Sequence, residues 1–165
     1  GRSACAERLN GPLLPHKKQK KEHRMQTIHR LDCDDAQRII EAAKKHAEAI
    51  GVPMCIAVMD ESCLLIGFLR MDGGKIPSIT MAIDKCFTAT GTQKPTQALA
   101  EPSMPGGPVY GLTSAHGGRF VVIAGGLPIL KNGQVIGGIG VSSGTPAQDL
   151  EVAQAGVHAF DAEGA

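Results

Sequence analysis

The sequence predicts an α+β domain built on an antiparallel sheet. Three observations carry that expectation. Strand-like runs follow one another through turns too short for a crossover, apolar helical stripes stand before, between and after those runs, and the C-terminal half ends in an Asn-Gly hairpin followed by a helix. Hairpin-linked strands run antiparallel, because a parallel neighbour needs a connection of a dozen or more residues. The chain has 165 residues, enough for one core, and reads as a single domain over 25–165 preceded by a basic segment, 1–24.

That first segment carries a net charge of +5, against −4 for the remainder. A basic arm of this kind can bind polyanions or acidic partner surfaces. Met25 also reads as a start residue and 1–24 contains no apolar signal core, so a non-native leader is the favoured reading of this segment. The first helix begins at Asp32. Ala36, Ile39, Ile40, Ala43, Ala47 and Ile50 recur at three-and-four spacing, Asp32 can cap, Asp34 and Asp35 suit the positive helix end, and Gly51 with Pro53 stops it. Pro53–Asp60 reads as a buried strand and Leu64–Arg70 as its hairpin partner across Glu61-Ser62-Cys63. Ser78–Thr90 is helical, with Ile79, Ala82, Ile83, Cys86, Phe87 and Ala89 mostly inward and Gly91 closing it. Residues 91–118 form a connection rich in proline and glycine, and connections this long in a compact domain tend to carry function. Phe120–Ala124, Leu127–Leu130 and Gln134–Ser142 read as three more strands, the last two joined by Lys131-Asn132-Gly133. Pro146–Phe160 is the closing helix, capped by Thr145 with Pro146 in the favoured first position.

Composition removes several classes of function. The longest apolar run, Phe120–Leu130, is interrupted by two glycines and a proline and falls short of the roughly 20 residues a membrane span needs. Aromatic residues make up only 3%, with no Trp and one Tyr, which argues against base stacking and hence against a nucleic-acid partner. Five scattered cysteines with no CxxC pair fit neither a disulfide framework nor a structural zinc site, and read as reduced thiols in the cytoplasm.

Candidate ligand groups gather in two stretches, the proline- and glycine-rich segment ahead of Arg119 and the junction entering the last helix, which are expected to converge in space on one receptive hollow. His116-Gly117-Gly118-Arg119, at the end of the long connection that also holds Gly106 and Gly107, joins a titratable ring and a guanidinium on a pliant backbone. It suits an anion or a metal centre, or is a solvated loop. Ser142-Ser143-Gly144-Thr145 feeds a strand into a helix, so its amides and hydroxyls either hold a carboxylate or phosphate or simply cap the helix. Lys85 sits in an apolar helix and is either an ion-pair partner of an acid such as Asp60 or Asp72 or an amine of depressed pKa. His46 lies off the main stripe of the first helix and faces solvent or ligates a metal. Asp32-Cys33-Asp34-Asp35 has donors for a hard cation, though helix capping explains it. No GxGxxG order, Walker loop, Ser-His-Asp set or paired carboxylates can be assembled, so catalytic residues stay unassigned.

Several separated segments, in order, resemble one family. They are Gly51-Val-Pro, Ala57-Val-Met-Asp60, Phe68-Leu-Arg70-Met71-Asp72-Gly73, the helix Ala82–Ala89, Gly125-Gly126-Leu-Pro128 and Val135–Ser142. The chain from Leu31 to Phe160 is similar to the GlcG/HbpS-like, haem-degrading family, which includes the C-terminal domain of PduO-type proteins. The resemblance implies a profilin-like three-layer fold with a five-stranded antiparallel sheet flanked by helices, and homo-oligomers. It also implies a link to haem or corrinoid ligands; the adenosyltransferase activity of PduO-type proteins belongs to another domain and is not carried over. The sequence departs from the family pattern at Glu61-Ser62-Cys63, Ala124 and Ser143.

These readings together lead to a cytoplasmic, oligomeric tetrapyrrole-binding accessory protein, for haem or a corrinoid, linked to cobalamin-dependent diol or glycerol metabolism. His116 is the first candidate for axial ligand and His46 the second, with Arg119 for the propionates. Two other readings stay open: an enzyme holding an anionic metabolite at 142–145, with Lys85 or His116 moving a proton, and an assembly subunit without ligand.

Overall fold

The computed structural model describes residues 25–163; the basic segment 1–24 lies outside the described residues. Helix α1 (Cys33–Ala49) starts with a reciprocal cap, in which the Asp35 amide donates to the Asp32 carboxylate (2.8 Å) and the Asp32 amide donates to the Asp35 carboxylate (3.1 Å). The donation from the Asp35 amide holds the Asp32 carboxyl below the ordinary carboxylate range. The acidic run is therefore a helix start. Strands β1 (Cys55–Asp60) and β2 (Leu65–Arg70) form the expected hairpin. Helix α2 (Ser78–Thr92) runs past Gly91 and is ended by Gln93 in the left-handed region, not by the glycine. Strands β3 (Gly126–Lys131) and β4 (Gln134–Ser142) and helix α3 (Pro146–Glu163) complete the chain.

The sheet has four strands in the order β2-β1-β4-β3, all antiparallel. The expected fifth strand at Phe120–Ala124 does not form, for a local reason. Two threonine hydroxyls take up the backbone groups a ladder would need: Thr88 Oγ1 accepts from the Val121 amide (2.9 Å), and Thr96 Oγ1 donates to the Ile123 carbonyl (2.6 Å) and accepts from the Gly126 amide (3.1 Å). The segment is pinned to α2 and to the turn after it. The long connection is likewise more ordered than a bare loop, with 3-10 turns at Thr96–Leu99, Glu101–Ser103 and Leu112–Gly118.

Helices α1 and α3 cover one face of the sheet and α2 the other. The glycines of β4 explain how α2 sits there. A Cβ on Gly140 would lie 2.1 Å from the Ala82 carbonyl oxygen and 2.4 Å from the Cys86 amide nitrogen, so the backbone of α2 rests directly on a side-chain-free floor. The alternate residues Ile139 and Val141 point the other way, into the larger core with Ile39, Ile56, Val58 and Val152. Cys55 and Cys86 are buried, and burial pushes both thiols above the ordinary cysteine value. No helix among the described residues is long and apolar enough to cross a membrane.

Candidate functional site

Adjacent residues on α2 point about 100° apart, and Asp84 and Lys85 use that divergence to serve two different places. Lys85 enters the core. Its Nζ donates to the Val141 carbonyl (2.9 Å) and to Asp149 Oδ2 (2.7 Å), while Asp149 Oδ1 accepts from the Gly144 amide (2.9 Å). Lys85 is 1% exposed and Asp149 3%. Burial draws the amine below the ordinary lysine value, and Asp149 opposes that shift. The partner is neither of the acids expected from sequence. Asp60 instead organises the β1–β2 turn by accepting from the Ser62 and Leu64 amides, and Asp72 lies on a surface turn.

Asp84 turns outward and accepts from Arg119 Nε (2.9 Å). The guanidinium carbon then stands 3.9 Å from the centroid of the Phe87 ring, close enough for a cation–π contact. His116 joins the same cluster, with its ring 5.7 Å from Phe87 and 5.4 Å from Phe120, both edge-on, and the two phenylalanines lie 5.8 Å apart. The backbone delivers the imidazole through three consecutive left-handed residues, His116 (φ 50°), Gly117 (φ 68°) and Gly118 (φ 88°). For His116 that conformation is uncommon. Thr88 fixes the exit of the turn, since its hydroxyl lies within hydrogen-bonding distance of the Arg119 carbonyl (3.2 Å) as well as holding Val121. His116 remains exposed while its ring leans on the aromatic wall. Gly106 and Gly107 shape the preceding loop, and a Cβ on Gly107 would lie 2.2 Å from the Pro102 carbonyl oxygen.

At the entry to α3 the free groups read from sequence are engaged. Thr145 and Gln148 form a reciprocal cap (Thr145 amide to Gln148 Oε1, 2.9 Å; Gln148 amide to Thr145 Oγ1, 3.3 Å), and Asp149 takes the Gly144 amide. Ser142 is buried in the ladder opposite Cys55. Ser143 has φ 124°, a glycine-favouring conformation, and its hydroxyl accepts from the Lys75 amide (3.1 Å). A hollow of about 290 Å³ beside the junction takes its other walls from Val52, Pro53, Gly73 and Lys75, and no residue of 106–119 lines it. The loop and the junction are thus two places, and the single hollow expected from their convergence does not form: the junction packs against 52–53 and 73–75 instead. His46 is a third: its Nε2 lies 2.7 Å from Glu151 Oε1, bridging α1 to α3 on the face of the sheet opposite α2.

The sequence reading placed Phe87 in the core and Phe120 in a strand, and did not single out Asp84. The signal available was spacing: Asp84 and Phe87 are three apart and so share a helix face. Among the described residues no group of three or more His, Cys, Asp or Glu side chains is arranged to hold a bare metal ion. Haem makes a smaller demand, since the porphyrin supplies four nitrogens and the protein one or two axial ligands. An exposed imidazole on an aromatic wall beside a guanidinium fits that group.

Residues 31–158 match the family described as haem degrading protein HbpS-like. A 15.0 kDa protein of the dhaT-dhaS intergenic region of Citrobacter freundii is 31% identical over 138 residues, 84% of this chain and 97% of that protein. The corrinoid adenosyltransferase PduO of Salmonella typhimurium is 30% identical over 131 residues; the match spans 79% of this chain and only 39% of that enzyme. Among solved structures, Klebsiella pneumoniae ORFY superposes with a TM-score of 0.82 at 31% identity, covering 84% of this chain and 95% of that one. A PduOC:heme complex superposes at 0.76 with 30% identity, covering 79% and 94%.

Proposed function

The chain belongs to the HbpS-like haem degrading family, and from that membership together with the geometry at His116 we propose that it binds a tetrapyrrole, haem first and a corrinoid second, as a carrier or accessory protein. The observation that carries this reading is the exposed His116 ring set edge-on against Phe87 and Phe120, with Arg119 alongside. The imidazole of His116 supplies an axial nitrogen, the two phenylalanines an apolar flank for the macrocycle, and Arg119 a donor for a propionate beyond the one it gives Asp84. Bound haem supplies an iron centre capable of redox change and of taking a further ligand. Asp84 and Thr88 both hold Arg119 to α2, one at its side chain and the other at its carbonyl, so that donor is set before ligand arrives. His46 is engaged with Glu151 on the other face of the sheet and serves no common site with His116 within one chain. A cytoplasmic, oligomeric protein attached to cobalamin-dependent diol or glycerol metabolism accords with this reading and with relatives such as PduO. The test is titration of the full chain with haemin and with cobalamin, followed by absorption. A saturable Soret shift with haemin, lost in His116→Ala and kept in His46→Ala, is expected. No shift with either ligand at micromolar protein overturns the proposal.

A further inference from the structure

Helix α2 does not cover the whole of its face of the sheet. It lies across β4, β1 and β3, while β2, the edge strand beyond β1, is covered by α1 on the other face and left largely bare on this one. Pairing fixes which residues of β2 look out there. Phe68 stands opposite Ala57 and Leu65 opposite Met59, and Ala57 and Met59 belong with Cys55, Ala82 and Cys86 to the small core under α2. Residues directly opposite in a ladder share a face, so Phe68 and Leu65 lie on the α2 side, where both are exposed. Gly67 points the other way: a Cβ there would meet Ala36 and Ile40 of α1.

On the helix, Ile79, Ile83 and Phe87 pack on the same small core and are only partly buried. They recur every four residues and so form one stripe along a flank of α2, about 12 Å from first to last. Cys63 of the β1–β2 turn packs on that core too, and its Sγ lies 3.4 Å from where a Cβ of Gly91 would stand, so the turn abuts the helix one turn past Phe87. The result is an apolar shelf with α2 as its wall and β2 as its floor. Phe87 ends the stripe, and it is also the ring around which His116, Phe120 and Arg119 gather. Shelf and cluster therefore share a residue.

A contiguous apolar surface left open to water marks a place that something covers, and continuity through Phe87 says what. Two phenylalanine rings flank only part of a macrocycle. The stripe extends that flank over a length comparable with the width of a porphyrin. We propose that Ile83, Ile79 and Phe68 carry the apolar body of the tetrapyrrole, which reaches from His116 and Phe87 along α2 over the bare face of β2. This rests on the assignment of His116 as axial ligand and deepens it, by naming the side chains that set affinity for the hydrocarbon part of the ligand. Removal of that hydrocarbon surface from water is the driving force, and a carboxylate placed on the shelf would have to leave water with it.

The experiment uses the full chain labelled with ¹⁵N. Ferric haemin, whose iron is paramagnetic, should broaden the amides of Leu65, Phe68, Ile79 and Ile83 as well as those near His116, with gallium protoporphyrin as the diamagnetic reference. In Soret titrations Ile83→Glu and Phe68→Glu each weaken haemin binding by about tenfold or more, while the spectrum at saturation stays that of the parent because His116 still ligates. Leu130→Glu, a change at an exposed apolar residue of the opposite edge strand β3, leaves binding as it was. Urea midpoints show which variants are folded, and the broadening in the parent decides independently of them. Haemin bound through His116 without broadening at 65–68 and 79–83, or bound with parental affinity by both folded Glu variants, overturns this proposal and leaves the axial assignment standing. Binding that survives in His116→Ala, or no binding at all, overturns the axial assignment and this proposal with it. Concentration-dependent shifts of the same amides without ligand, and no broadening by haemin, would give the shelf to a second copy of the chain and likewise overturn the proposal.

Discussion

Replacing Lys85 by methionine tests how the three layers are held together. The substitution keeps much of the aliphatic stem but removes the ammonium that links α2 to the Val141 carbonyl of β4 and to Asp149 of α3. Asp149, whose side chain is 5% exposed, then keeps only the Gly144 amide as partner for a buried carboxylate. Breaking one side of a buried pair costs about 3–5 kcal/mol, because the remaining charge is left without compensation. For a domain of this length that is a fall in melting temperature of about 10 °C. Lys85→Met combined with Asp149→Leu removes both charges, so its cost is smaller than the sum of the two single changes by about 2 kcal/mol or more. Urea unfolding of the four proteins of the cycle measures this coupling. The lowered lysine pKa adds a signature. Between its folded value and the ordinary 10.5 the unfolded chain binds more protons at this group, so its contribution makes stability rise with pH across that window. The slope disappears in Lys85→Met. Additive single losses, or a loss below about 1 kcal/mol for Lys85→Met, would refute the reasoning.

Other perturbations address other contacts. Thr96→Val strips the Ile123 carbonyl and the Gly126 amide of a shared partner, and a loss of about 2 kcal/mol with faster exchange of the Gly126 amide is expected; exchange unchanged from the parent would show that the hydroxyl does not fasten that segment. Gly140→Ala drives a Cβ into the α2 backbone and should cost about 3 kcal/mol or prevent folding, read by urea unfolding or by recovery of soluble protein. Arg30 hydrogen-bonds Glu61 and holds its carboxyl down to about 2 from 4.5. The stabilisation from this pair is therefore complete above 4.5 and lost as pH falls through about 2; Arg30 is half exposed, so solvent screening keeps it small. Urea midpoints of the parent and Glu61→Gln across that window should converge at the acid end.

The helices and the two hairpins were legible because periodicity, capping residues and the Asn-Gly turn all report short-range physics. Asp32 announced its cap, to which the structure adds the return bond from its amide to Asp35, and Lys131-Asn132-Gly133 announced its turn. Phe120–Ala124 misled for the complementary reason: its apolar run has the composition of a strand, but its backbone partners are the hydroxyls of Thr88 and Thr96, distant in sequence and unmarked by any local pattern. The glycines of β4 carried no local pattern that named their use, and it was the packing of α2 that settled it. Lys85 was visible as a cation in an apolar helix, while its partner Asp149 is 64 residues away. Of the candidate ligand groups, His116 and Arg119 were neighbours by sequence. Their aromatic wall depended on α2 lying beside the 116–120 turn, which only the fold supplies.

The proposed role rests on where iron would sit. Crystals of the full chain grown with haemin and measured at the iron absorption edge locate the metal directly, from its own anomalous scattering. An anomalous peak within bonding distance of the His116 imidazole, over the wall made by Phe87 and Phe120, is the predicted result. A peak at His46, or against neither histidine, would contradict the assignment.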